Sequence, residues 1–251
     1  YPPGPGTPEL RRAIAAARER DYGQRFDPED EVLVTVGATE AIAAAILALA
    51  GPGDEVVMLE PYYDSYPAVV AMSGATSVAV PLVRSAAGRF ALDAERLAHA
   101  ITDRTRLLLI NSPHNPTGTV LSAAELAVIA EIAIAHDLIV VTDEVYEYLT
   151  FDAAQHIPIA TLPGMAERTV TISSAGKSFN VTGWKIGWAC GPAPLIRAVR
   201  AAKQFLTFVG GAPFQPAVAY ALAAERDWAH ALRDSLQHKR DRLCEGLSAA
   251  G

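Results

Sequence analysis

Short β-branched runs alternate with longer Ala-rich stretches along most of the chain, and this rhythm restricts the fold more than any other feature. "EVLVTVG" (31–37) leads into "ATEAIAAAILALA" (38–50), which Gly51-Pro52-Gly53 then stops. "DEVVMLE" (54–60), "TSVAVPLV" (76–83), "TRLLLINS" (105–112), "DLIVVTDE" (137–144) and "RTVTISS" (168–174) read as further strands. Residues 93–101 and 122–136 read as helices, the second opened by a capping box of Ser122 and Glu125. Continuous apolar runs such as 137–144 suit strands covered on both faces. The expectation is an α/β fold: a mostly parallel mixed sheet sandwiched by helices, with one or two amphipathic helices over 216–250 leaving it.

Composition narrows the function. About half of the 251 residues are apolar, ample for a core, and the net charge of −7 comes without basic runs, which argues against a nucleic-acid surface. No apolar stretch approaches the roughly 20 residues that cross a bilayer. Cys190 and Cys244 show neither CxxC spacing nor a disulfide framework, so the expected compartment is the reducing cytoplasm. No metal-ligand set is assigned. The chain opens on "YPPGPG" without Met or signal peptide and stops at "GLSAAG" inside a helical pattern, as a piece of a longer protein would.

In open α/β sheets ligands bind beyond the carboxyl ends of the strands. Gly37, Ala38 and Thr39 follow the first strand at a helix start, and Pro61, Tyr62 and Tyr63 follow the second. "NSPHNPTG" (111–118), "TDEVY" (142–146) and "SSAGK" (173–177) follow three others. The cations add a second signal. The chain holds only four lysines, and two of them, Lys177 and Lys185, fall within "TISSAGKSFNVTGWKIGWACG" (171–191). Lys differs from Arg in that it can lose its proton and act as a nucleophile. A Lys for a Schiff base, a carboxylate at a strand end for a pyridine nitrogen and a helix N-terminus for a phosphate are together the needs of pyridoxal phosphate. Lys177 and Asp143 fill the first two roles.

The ordered motifs "VGATEA", "EPYYDSYP", "NSPHNPTG", "TDEVYEYL" and "SSAGKSFNVTGWKIGW" resemble the class I/II aminotransferases of PLP fold type I. Within them the chain is most similar to the kynurenine/glutamine-transaminase-like branch and to the actinobacterial N-succinyldiaminopimelate aminotransferases. The resemblance implies Lys177 as the Schiff-base lysine, Asp143 as the partner of the ring nitrogen, and Tyr146 and Asn115 as donors to the ring's phenolic oxygen. It implies Tyr63 stacked on the ring, Ala38, Thr39, Ser174 and Lys185 around the phosphate, and Tyr1 reaching a partner subunit's phosphate, hence a homodimer with shared active sites. Lys185 stands where Arg is commoner in the family, a point charge in place of a bidentate fork. The implied organisation is a cofactor-binding large domain over 1–215, residues 1–7 reaching toward the partner, then a helical connection over 216–251 toward a smaller domain. That domain, with the Arg that clamps the substrate α-carboxylate, is expected outside this chain.

The implied reaction moves an amino group from an amino acid to a 2-oxo acid such as 2-oxoglutarate, with N-succinyl-L,L-diaminopimelate the leading donor, a step toward lysine. Kynurenine, glutamine, methionine or aromatic donors stay open. So do a PLP β-lyase and the PLP-binding domain of a transcription regulator. A dinucleotide-dependent dehydrogenase is excluded, since no strand is followed by G-x-G-x-x-G. Cys190, Met58, Trp184 and Trp188 read as packing, and His114 as an exposed turn residue.

Overall fold

The structure, a computed structural model, describes residues 1–85, 88–152 and 154–251. The strands are β1 (Val32–Val36), β2 (Glu55–Glu60), β3 (Thr76–Pro81), β4 (Val83–Arg84), β5 (Phe90–Ala91), β6 (Thr105–Asn111), β7 (Ile139–Asp143), β8 (Thr169–Ser174) and β9 (Ile186–Cys190). The α-helices are α1 (Pro8–Tyr22), α2 (Gly37–Leu49), α3 (Ser65–Ser73), α4 (Ala94–Ala100), α5 (Ala123–Ala135), α6 (Ala175–Ser178), α7 (Ala193–Lys203), α8 (Gln215–Ala224) and α9 (Arg226–Ala250).

Seven strands form one sheet in the order β1-β9-β8-β7-β6-β2-β3, while β4 and β5 make a separate ribbon. Contacts from β8 through to β3 are parallel, and β9 runs antiparallel to both β1 and β8. Six strands therefore point one way and β9 alone returns. The carboxyl ends of β1, β7 and β8 share an edge with the amino end of β9, which is how Lys185 arrives beside Gly37 and Ser174. The chain runs outward from β2 to β3 and then crosses to β6 on the other side of β2, so the strand order reverses there, the position where α/β sheets bind ligands.

Alternate residues of each strand enter separate cores. Leu33, Val56, Met58, Leu109 and Val141 pack under α2, α3 and α7, whereas Val57, Leu59, Leu108, Ile110 and Val140 pack under α4 and α5. Val32, Val34, Ile186 and Trp188 form a third cluster with Leu10 and Ile14 of α1 and Val218 and Leu222 of α8. The expected α/β sandwich is present, and the strands read from the sequence start and stop within two residues of those observed.

Three features differ from the expectation. β9 lies inside the 171–191 motif, where the sequence predicts no separate strand. α1 went unread as a helix although Thr7 caps it, Pro8 opens it and Gly23 ends it in the left-handed conformation. His114 is buried, not exposed: its ring sits beside the Thr117 hydroxyl at 2.8 Å, and burial lowers its pKa. Among the described residues no helix is long and apolar enough to cross a membrane. Of the 25 residues of α9 only Ala229 is buried.

Candidate active site

The shared edge holds a cavity of about 180 Å³, and every predicted cofactor residue except Tyr1 lines it: Ala38, Thr39, Tyr63, Asn115, Asp143, Tyr146, Ser174, Lys177 and Lys185. Tyr1 is fully exposed, its ring edge-on to Phe208 at 5.7 Å, and it does not line the cavity of its own chain.

One end of the cavity is a cradle for an anion. α2 begins at Gly37, so the N–H groups of its first turn lack intrahelical partners. Gly37 has φ of +75°, and a β-carbon there would lie 3.1 Å from Lys185 Nζ. Lys185 itself holds φ of +55°, rare for a residue with a long side chain, and that turn brings its ammonium over the helix start. Glu40 fixes the turn from below, its Oε2 accepting the Val36 N–H at 2.6 Å. Ser174, at the end of β8, adds a hydroxyl.

A buried carboxylate lines the same cavity. Asp143, 5% exposed, accepts the Tyr66 hydroxyl on Oδ2 at 2.7 Å and the Val145 N–H on Oδ1 at 3.1 Å. Asn111 donates to the Asp143 carbonyl at 2.8 Å and accepts the Asn115 N–H at 2.7 Å, tying the β6 and β7 ends together. Burial pushes the Asp143 carboxyl up to about 6, partly offset by the two hydrogen bonds and by Lys177. Lys177 Nζ stands 5.7 Å from the centre of the Tyr146 ring. Burial, followed by the nearby Asp143 charge, raises the Tyr146 hydroxyl, and a hydrogen bond from Asn115 works against it. Tyr63 is 38% exposed and forms the open wall.

Behind the strand ends lies a second set of charges. Arg18 donates to Glu144 at 2.8 Å, to Glu147 at 2.7 Å and to Gln24 at 2.8 Å, all buried. Glu147 also accepts the Ser173 hydroxyl at 2.5 Å. This network anchors both ends of the segment that carries Asp143 and Tyr146. Tyr66, Asn111 and Arg18 were not singled out from the sequence. The one local hint is that Tyr66 follows Tyr63 at helical spacing, one turn on.

The donor set matches pyridoxal phosphate: an anion cradle, a buried carboxylate, a half-buried amine and an aromatic ring line one cavity.

Comparison with known proteins agrees. The family model described as "Aminotransferase class I and II" matches residues 1–251. A protein of Mycobacterium tuberculosis named "Probable N-succinyldiaminopimelate aminotransferase DapC" is 67% identical over 251 residues, covering 100% of this chain and 63% of the relative. Kynurenine--oxoglutarate transaminase 3 of Bos taurus is 38% identical over 265 residues, covering 100% of this chain and 58% of the relative. The solved structure of N-succinyldiaminopimelate aminotransferase from Mycobacterium tuberculosis superposes with a TM-score of 0.99 at 67% identity, covering 100% of this chain and 65% of that one. The chain thus spans less than two thirds of the length of each of these relatives. It belongs to the class I and II aminotransferases.

Proposed function

We propose that the protein is a pyridoxal phosphate-dependent aminotransferase that takes the amino group of N-succinyl-L,L-diaminopimelate and passes it to a 2-oxo acid such as 2-oxoglutarate. The observation that carries the general reaction is the convergence of Lys177, Asp143, Tyr146 and the α2 N-terminus on one cavity. The particular donor rests on the 67% identity to the Mycobacterium tuberculosis protein so named. A kynurenine-type donor is the second reading, supported by the 38% identity to the bovine transaminase.

When bound, the cofactor supplies an aldehyde carbon and a ring able to delocalise the electron pair released at the substrate α-carbon. The chain's own groups do the rest. The free N–H groups at Ala38 and Thr39, with Ser174 and Lys185, would hold the phosphate. Asp143 would accept a hydrogen bond from the protonated ring nitrogen, and its negative charge would keep that proton in place. Asn115 and Tyr146 would donate toward the ring's phenolic oxygen, and Tyr63 would stack on the ring. Lys177 would anchor the cofactor through its amine; once free, its Nζ would take the proton from the substrate α-carbon and deliver it to the carbon that was the cofactor's aldehyde, so that the nitrogen stays behind when the oxo acid leaves. Residues 1–215 serve as the cofactor-binding domain of a cytoplasmic homodimer, with residues 1–7 and Tyr1 reaching the partner's site. Residues 216–251 lead toward a smaller domain that carries the carboxylate clamp.

An absorption spectrum of the full-length protein with pyridoxal phosphate, before and after each amino donor and without oxo acid, tests this. Conversion of the bound cofactor's band by the N-succinyl donor alone supports the reading, and conversion by kynurenine alone replaces the donor. A Lys177→Ala variant that still transaminates sinks the mechanism.

A further inference from the structure

We propose that Tyr66 is a positioning residue for the Asp143 carboxylate, fixing its plane and holding it as the anion that the ring nitrogen needs. The inference rests on the proposed cofactor reading for its purpose, and on geometry for its substance. Tyr66 lies in the first turn of α3, is 2% exposed, and packs in the same core as α2. Its ring therefore cannot swing away, and its hydroxyl reaches Asp143 Oδ2 at 2.7 Å across 77 positions of sequence.

The two carboxylate oxygens are held by different donors, Oδ2 by the Tyr66 hydroxyl and Oδ1 by the Val145 N–H at 3.1 Å. Each oxygen has two lone pairs, so one on each stays available toward the cavity. Two donors on two oxygens stop rotation about the Cβ–Cγ bond, so the remaining lone pairs point in one direction. Protonation would reverse the function, since a carboxylic acid donates where an anion must accept from a protonated ring nitrogen. Burial favours that protonation, and the neighbouring Glu144 charge does too. Tyr66, the Val145 N–H and Lys177 oppose it, and Tyr146 is the other titratable side chain close to the carboxylate. Tyr66 is the side chain whose hydrogen bond opposes it most. It also meets Tyr63 edge-to-face at 5.8 Å and 84°, so the residue that orients the carboxylate also braces the cavity's open wall.

The test is Tyr66→Phe in the full-length protein, which removes one oxygen and keeps the packing. In the cofactor-free protein the Asp143 carboxyl, followed by carbon-13 NMR, should titrate at higher pH in the variant than in the parent. Pyridoxal phosphate should bind roughly tenfold or more weakly, the scale of a hydrogen bond to a charged group. The acid limb of its affinity profile should move upward in pH. Combined with Asp143→Asn, Tyr66→Phe should cause little further loss. An unshifted Asp143 titration overturns the role, as does a loss of affinity equally large in the Asp143→Asn background. A parent that binds no pyridoxal phosphate but shows the shifted titration sinks the cofactor reading and leaves the control of Asp143 by Tyr66 standing.

Discussion

Gly187 of β9 lies against the turn that opens α2: a β-carbon there would stand 2.5 Å from the Gly37 carbonyl carbon and 2.6 Å from the Ala38 nitrogen. Both are backbone atoms, so no side-chain rotation relieves the contact. Gly187→Ala should force β9 off the anion cradle, at the point where Gly187 pairs with Thr35 on one side and Ser174 on the other. We expect the pyridoxal phosphate dissociation constant to rise at least tenfold, about 1.4 kcal/mol or more, with a lower melting temperature. Gly183→Ala, whose added β-carbon would meet nothing within 4 Å, is the matched control and should be silent. A Gly187→Ala protein with parental affinity would place the phosphate elsewhere.

Glu40 braces the same turn from the other side. Its carboxylate accepts the Val36 N–H at 2.6 Å and the Thr207 hydroxyl, with Lys203 Nζ 4.0 Å away. Lys203 in turn donates to the Phe208 carbonyl at 3.1 Å, so the cluster joins the cradle to the segment after α7. Glu40→Ala strands the Val36 N–H and leaves the Lys203 ammonium buried without a counter-charge. The expected cost is about 2–4 kcal/mol by urea denaturation, and about 1–2 kcal/mol for Glu40→Gln, which keeps the hydrogen bonds but not the charge. Equal losses in the two variants would mean that the charge contributes nothing.

Much of this architecture is legible in the sequence because its signals are local. Apolar runs bounded by helix starts mark the strands, and the polar residues that follow several of them mark the cavity, whereas the individual roles of the nine lining residues, Lys185 among them, are implied by the family motifs in which they stand. What escaped is long-range. β9 is only five residues of mixed size (IGWAC), and what makes it a strand is its placement between β1 and β8. Tyr66 reads as an ordinary helix residue until the fold sets its hydroxyl on Asp143. Arg18, within "AAARERDYG", reads as a solvated cation, whereas α1 lays it over the buried carboxylates of Glu144 and Glu147.

That burial makes Arg18 a sharp stability test. Two carboxylates and Gln24 share one guanidinium, and removing it leaves both charges in the interior with His156, 3.1 Å from Glu144, as the nearest remaining cation former. Arg18→Met should cost about 3–5 kcal/mol. Arg18→Lys should recover only part, because a point charge cannot serve Gln24, Glu144 and Glu147 together. Denaturation of the cofactor-free proteins measures this directly. A Lys variant as stable as the parent would show that charge, not the fork, is what the site requires.

Asp143 carries the opposite sign: it should weaken the cofactor-free protein. Burial raises its carboxyl from 3.8 to about 6, so between those values the folded protein keeps a proton that the unfolded chain has released. Stability therefore falls as pH rises from about 4 to about 6 and is flat in this respect above that. Asp143→Asn has no proton to lose, so its profile should lack that fall. At pH 7.5 the cofactor-free variant should be the more stable, by on the order of 1–3 kcal/mol. The gain is limited because the amide nitrogen must face either the Tyr66 hydroxyl or the Val145 N–H, both donors in the parent. The same variant should bind pyridoxal phosphate more weakly, having no charge to hold the ring proton. Urea denaturation at pH 4.5 and 7.5, with and without cofactor, separates the two effects. A parent whose cofactor-free stability holds level across that range, or an Asn variant that is weaker at both pH values, would show that Asp143 is ionised in the folded protein at little cost.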